Sequence, residues 1–114
     1  SLSSAQILAL NSSPQTIVAA AGAGKIIVPI SFVENFIYGT SDYATNTQLE
    51  AYITSGSNTI IGTIGASTDY ILISPCTSLL ATSITSLKIT IDNGNPTAGD
   101  STMTVGVYYK IHTL

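Results

Sequence analysis

"STMTVGVYYKIHT" (101–113) alternates along its whole length. Met103, Val105, Val107, Tyr109 and Ile111 fall on one side; Thr102, Thr104, Tyr108, Lys110 and His112 fall on the other. Successive side chains of a strand point to opposite faces, so this pattern predicts a half-buried strand with its odd side turned to a core. A second long run, "KIIVPISFVENFIY" (25–38), repeats the period. Its even positions (Ile26, Val28, Ile30, Phe32, Glu34, Phe36 and Tyr38) read as core-facing. Its odd positions mix Ile27, Pro29, Ser31, Val33, Asn35 and Ile37, the blurred alternation of a strand covered on both faces. Pro29 has no amide to donate, which predicts an edge position or a bulge.

Working outward, the shorter runs 5–10, 15–20, 47–54, 59–64, 68–74 and 84–91 also read as strands. Turn clusters divide them: Asn11-Ser12-Ser13-Pro14, the loop 39–46, Ser55-Gly56-Ser57-Asn58, Gly65-Ala66-Ser67 and "DNGNPTAGD" (92–100). Residues 76–83 are the one stretch that suggests a helical turn. About eight strands with turns between them predict an all-β chain: one antiparallel β-sandwich over residues 1–114, most simply a jelly roll. Residues 1–13 read equally as the first strand of that sandwich or as an arm that pairs with a neighbouring subunit through Leu2, Ile7 and Leu10.

Composition narrows the function classes. Only 8% of the 114 residues are charged, and the formal net charge is −3. Ordinary soluble chains carry about 25% charged residues. Three lysines and no arginine cannot build the basic face that displaces counterions from nucleic acid, nor a basic membrane-surface helix. No apolar run approaches the roughly 18 residues of a membrane span. No basic leader segment is visible at the N-terminus. Sixteen Thr, 15 Ser and 16 Ile favour pleated sheet with an uncharged hydroxyl surface. Few Lys and Glu remain to guard sheet edges, so partner subunits are expected to cover them.

Candidate chemistry is sparse. "AAAGAGKI" (19–26) resembles a phosphate-binding loop, but Ala19 stands at the first glycine position and Ile26 at the hydroxyl position, and strand sequence follows instead of a helix. A hairpin connection with glycines at positive φ is the better reading. His112 has no Cys or His at metal-ligand spacing, and Cys76 follows Pro75 as a small apolar residue. No nucleophile elbow occurs, so no enzyme activity, cofactor or metal is expected. Asp92, Asn93, Asn95 and Asp100 form the richest oxygen cluster, read as an Asx-stabilised turn over a calcium loop. Asp42 and Tyr43 are loop residues suited to contact a partner or a sugar.

An ordered set of motifs adds to this. "AQILALNSSPQTIVAAAGAGKIIVPIS" (5–31) is followed by "YGTSDYATNTQLEAY" (38–52), and "GNPTAGDSTMTVGVYYKI" (94–111) closes the chain. The set resembles small structural proteins of tailed-bacteriophage virions, of the capsid-decoration or head-fibre type. The likeness covers both ends of the chain; 55–83 has no counterpart in it. It implies a non-enzymatic β-sandwich on the capsid surface, a homotrimer bound to the major capsid protein, that stabilises the head. A tail or fibre protein is the neighbouring alternative. From another class comes a carbohydrate-binding module using exposed tyrosines such as Tyr38, Tyr43 and Tyr52.

Overall fold

The computed structural model describes residues 1–76, 78–81 and 85–114. Among them the chain forms α1 (Ser4–Leu8), β1 (Gln15–Val18), β2 (Lys25–Ile37), β3 (Gln48–Tyr52), β4 (Thr59–Thr63), β5 (Tyr70–Pro75), β6 (Leu87–Ile91) and β7 (Thr102–Thr113). The strands make two antiparallel sheets, one in the order β1-β6-β3-β4 and one in the order β5-β2-β7. Sixteen buried hydrophobic side chains pack into one cluster, with Phe32, Phe36, Leu49, Leu87, Ile89, Ile91 and Ile64 at 1% exposure or less. The fold is a β-sandwich, with seven strands in sheets of four and three rather than the eight strands of a jelly roll.

The eighth expected strand, 5–10, is the helix α1. Ser3 accepts the amide of Gln6 and the Gln6 side chain accepts the amide of Ser3, a capping box that satisfies two free donors of the first turn. The pairing fixes the helix start more strongly than five residues of mixed propensity would. Of the expected helical turn at 76–83, Cys76 and residues 78–81 are not helical, and the rest lies outside the described residues. In the 84–91 strand, Ile84 also lies outside them.

The two long strands pair with each other over β2's full length, from Lys25 opposite Thr113 to Ile37 opposite Thr102. Pro29 pairs with Tyr109 and Ser31 with Tyr108, so Ile30 is an extra residue in β2. This bulge inverts the facing of the strand. Beyond it the even residues Phe32, Glu34 and Phe36 are buried, as the alternation predicts; before it Ile27 is buried and Val28 is exposed, the reverse of the expected even face. On β7, Met103 faces the core, while Tyr109 and Ile111 are 44% and 46% exposed. That half of β7, with the start of β2, forms a two-stranded ribbon running past the sandwich, and the molecule measures 46 × 24 × 20 Å.

Gly22 and Gly24 do adopt positive φ, 107° and 73°. The segment they turn is not a hairpin, however. β1 pairs with β6 and β2 with β5 and β7, so the chain crosses here from one sheet to the other. The glycines make a corner between layers, and the Lys25 amide donates to the Gly22 carbonyl at 3.2 Å.

Candidate functional site: an apolar sheet face and two loop clusters

Register places a single set of side chains on the outer face of the three-stranded sheet. Val33 lies between Ile73 and Gly106, Asn35 between Ile71 and Thr104, and Ser31 between Pro75 and Tyr108; Ile37 pairs with Thr102. Ile71 and Ile73 are each 70% exposed, Tyr108 67% and Ile37 46%. The face continues into the ribbon through Ile30 and Val28, both exposed, and meets its first charge at Lys110 opposite Val28. His112, opposite Ile26, is at the same far end. An unbroken apolar surface of this kind is rare unless something covers it.

The outer face of the other sheet is built differently. Glu50, opposite Thr90, is almost fully buried, and its two carboxylate oxygens accept the Gln48 side-chain amide at 2.6 Å and the Asn58 amide at 2.9 Å. The Thr90 hydroxyl donates to the Leu10 carbonyl at 3.3 Å. Here polar groups are satisfied within the chain, whereas across the molecule isoleucines stand in water.

Two loop clusters close the end of the sandwich where β2 stops and β7 begins. In one, Asp100 accepts the amides of Thr40 (2.8 Å) and Ser41 (3.0 Å) on Oδ1 and the Thr40 hydroxyl (2.5 Å) on Oδ2. These donors hold its carboxyl below the ordinary value. In the other, Asn95 Oδ1 accepts the amides of Asn11 and Ser12, both at 3.0 Å, and its Nδ2 donates to the Ser12 hydroxyl. Asn46 donates to the Asn95 carbonyl, so three loops meet on one residue.

The residues singled out from sequence fare unequally. Leu2, Ile7 and Leu10 are buried at 7%, 0% and 0% exposure, and Leu2 forms a backbone bridge with the chain's own Met103. The 1–13 segment is therefore part of its own core and not a free arm; apolar side chains that can reach their own sheet bury there first. Tyr43 is likewise internal, 3% exposed, with its hydroxyl donating to the Ser101 carbonyl at 2.5 Å. Burial pushes its phenol up to about 12. Asp42 stays exposed and accepts the Ser67 hydroxyl at 2.7 Å. Asp92 and Asn93, the latter at φ 67°, line a cleft of about 190 Å³ with Asn11, Asn58, Thr90 and Tyr52. Asp100 and Asn95 serve in separate clusters, each occupied by donors of the protein itself.

Among the described residues, no group of three His, Cys, Asp or Glu side chains is placed to hold a metal ion. Cys76 is half-buried with its amide bonded to the Ile30 carbonyl at 2.9 Å, and burial pushes its thiol up, away from the reactive thiolate. The apolar sheet face went unnoticed in the sequence because Ile71 and Ile73 read as the buried side of an ordinary strand. No family model, curated protein or solved structure matches the chain.

Proposed function

We propose that the chain is a non-enzymatic structural protein of a tailed-phage particle, a decoration or cement protein seated on the capsid surface. The observation that carries this reading is the uncharged, apolar outer face of the β5-β2-β7 sheet. The motif resemblance at both ends of the chain supplies the particle. Thirteen residues of β2 at about 3.3 Å each, across three strands about 4.8 Å apart, give a footprint on the order of 500 Å². A stable interface buries about 800 Å² per partner, so this face with its flanking loops approaches the required size. Closing into a homotrimer on the major capsid protein would also cover the free edges of β5 and β7. The mechanism is mechanical: the sandwich bridges neighbouring shell subunits and adds buried area against internal pressure.

Counting copies in purified particles by mass spectrometry tests the reading. Hundreds per particle support decoration, a handful moves the protein to the tail or a fibre, and none overturns the proposal. The double variant Ile71→Glu/Ile73→Glu should lose co-sedimentation with particles while melting at nearly the wild-type temperature. Both side chains are 70% exposed, and substitutions at such positions usually change stability by about 0.5 kcal/mol or less.

A second reading, carbohydrate binding, rests on the cleft where half-buried Tyr52 faces the side chains of Asn11, Asn58, Asp92 and Asn93. An aromatic ring beside several amides suits a sugar's apolar face and hydroxyls. A glycan array that Tyr52→Ala silences would favour it over the virion reading; a blank array removes it.

A further inference from the structure

The one buried side-chain oxygen without a hydrogen-bond partner among the described residues is Oε1 of Glu34. Glu34 is 1% exposed and lies on the inward side of β2 with Phe32 and Phe36. Val105 of β7 and Leu72 of β5 are its cross-strand neighbours. From the opposite sheet β4 presents Gly62, whose missing side chain makes the room: a methyl there would sit 3.1 Å from the Glu34 carboxyl carbon and overlap Oε1. The Tyr70 hydroxyl, its ring stacked on Phe36 with centroids 5.0 Å apart, lies within hydrogen-bond reach of Glu34 Oε2. It lies equally within reach of the Thr63 carbonyl.

Proton counting decides the state of this chain of oxygens. A tyrosine hydroxyl owns one proton, and a carboxylate and a backbone carbonyl are both acceptors only. One proton cannot serve two acceptors. A carboxylic acid supplies the missing one: Glu34 Oε2–H donates to the Tyr70 oxygen, and the Tyr70 O–H donates to Thr63. Protonation also removes the formal charge from the orphaned Oε1, which would otherwise be a bare carboxylate oxygen in the core. We infer that Glu34 is a neutral acid in the folded protein, and that the Glu34–Tyr70–Thr63 chain is a proton-dependent clasp joining β2 and β5 of one sheet to β4 of the other.

Nothing charged offsets the burial. The groups that face the carboxyl are Phe32 and Phe36 from β2, Val105 from β7, Leu72 and Tyr70 from β5, and Gly62 from β4; Tyr70 is the one titratable member. Burial accordingly pushes the carboxyl up to about 7 from an ordinary 4.5, against a smaller opposing pull from the Tyr70 hydrogen bond. A carboxyl raised in this way stabilises the fold fully below 4.5 and loses that contribution as pH rises through 7. Above that range the clasp lacks its second proton, and the corner between β4 and β5 loosens. Because β5 also presents Ile71 and Ile73, release of this proton acts on the apolar face.

The test is a ¹³C NMR titration of the Glu34 side-chain carboxyl in the intact protein, with melting curves from pH 5 to 9. The expected midpoint is about 7. A midpoint near 4.5 overturns the inference. Wild-type melting temperature should fall across the window, while Glu34→Gln, whose amide donates to the Tyr70 oxygen at every pH, should stay flat. A Glu34→Gln curve that falls in parallel with wild type also overturns it. If that variant fails to fold, the wild-type titration decides alone.

Discussion

Replacing Gly99 with alanine is the sharpest probe of how the loop end is built. Gly99 has φ 97°, and a Cβ there would sit 2.6 Å from Cγ and 2.7 Å from Cε1 of Tyr43. That ring is not free to retreat. It is 3% exposed, and its hydroxyl is tied to the Ser101 carbonyl two residues further along the same loop. Two costs add. Left-handed backbone in an alanine costs about 1–2 kcal/mol, and forcing an extra carbon into a packed ring costs about 1–3 kcal/mol. The sum, about 2–5 kcal/mol, is a large part of the 5–15 kcal/mol typical of a domain. Gly22 provides the control. Its φ is 107°, but a Cβ there meets nothing within 4 Å, so Gly22→Ala should cost only the backbone share, about 1–2 kcal/mol. Urea denaturation of both variants at one pH reads the difference. With an m-value of about 1.5 kcal/mol/M, the extra 1–3 kcal/mol moves the midpoint a further 0.7–2 M or so. Equal midpoints for the two variants would refute the tight seating of Tyr43 against Gly99.

Two more predictions concern protons. Asp100 titrates below its ordinary 3.8 because Thr40 and Ser41 donate to it; its contribution is present above 3.8 and lost as pH falls through the depressed value, so acid unfolding of Asp100→Asn should show a weaker pH dependence below pH 4 than wild type. Burial raises the Cys76 thiol above its ordinary 9.0, so iodoacetamide at pH 8 should alkylate the folded protein more slowly than the chain in urea, as read by intact mass.

Much of the sandwich was legible because period two is a local property. The run 25–38 became β2, Lys25–Ile37, and 101–113 became β7, Thr102–Thr113. Two features escaped for different reasons. α1 carries a readable signature, Ser3 and Gln6 at capping-box spacing, but its apolar residues also satisfy a short strand. The bulge at Ile30 inverts one half of β2 without breaking the alternation of letters; Pro29 signals that a bulge is allowed and not that facing reverses. The buried acid was half visible. A carboxyl between Phe32 and Phe36 on an inward face is anomalous in the sequence, but its partners Gly62, Thr63 and Tyr70 lie 28 to 36 positions away and only folding brings them together. The loop candidates failed for a related reason: Asp100, Asn95 and Tyr43 offer polar atoms that the backbone itself uses up.

The continuous pairing of β2 with β7 has a further consequence under load. Leu2 is bridged to Met103 at the base of β7, and the Leu114 amide donates to the Gly24 carbonyl at its tip. Traction applied between residues 2 and 114 therefore runs nearly parallel to the long axis of the molecule. It slides β7 along β2, so the ladder from Thr102 to Thr113 is stretched in shear and its rungs share the force at once. A peeling load would break the same rungs one after another. Held at its two ends, this protein is a stiff strut, and its weakest direction is sideways.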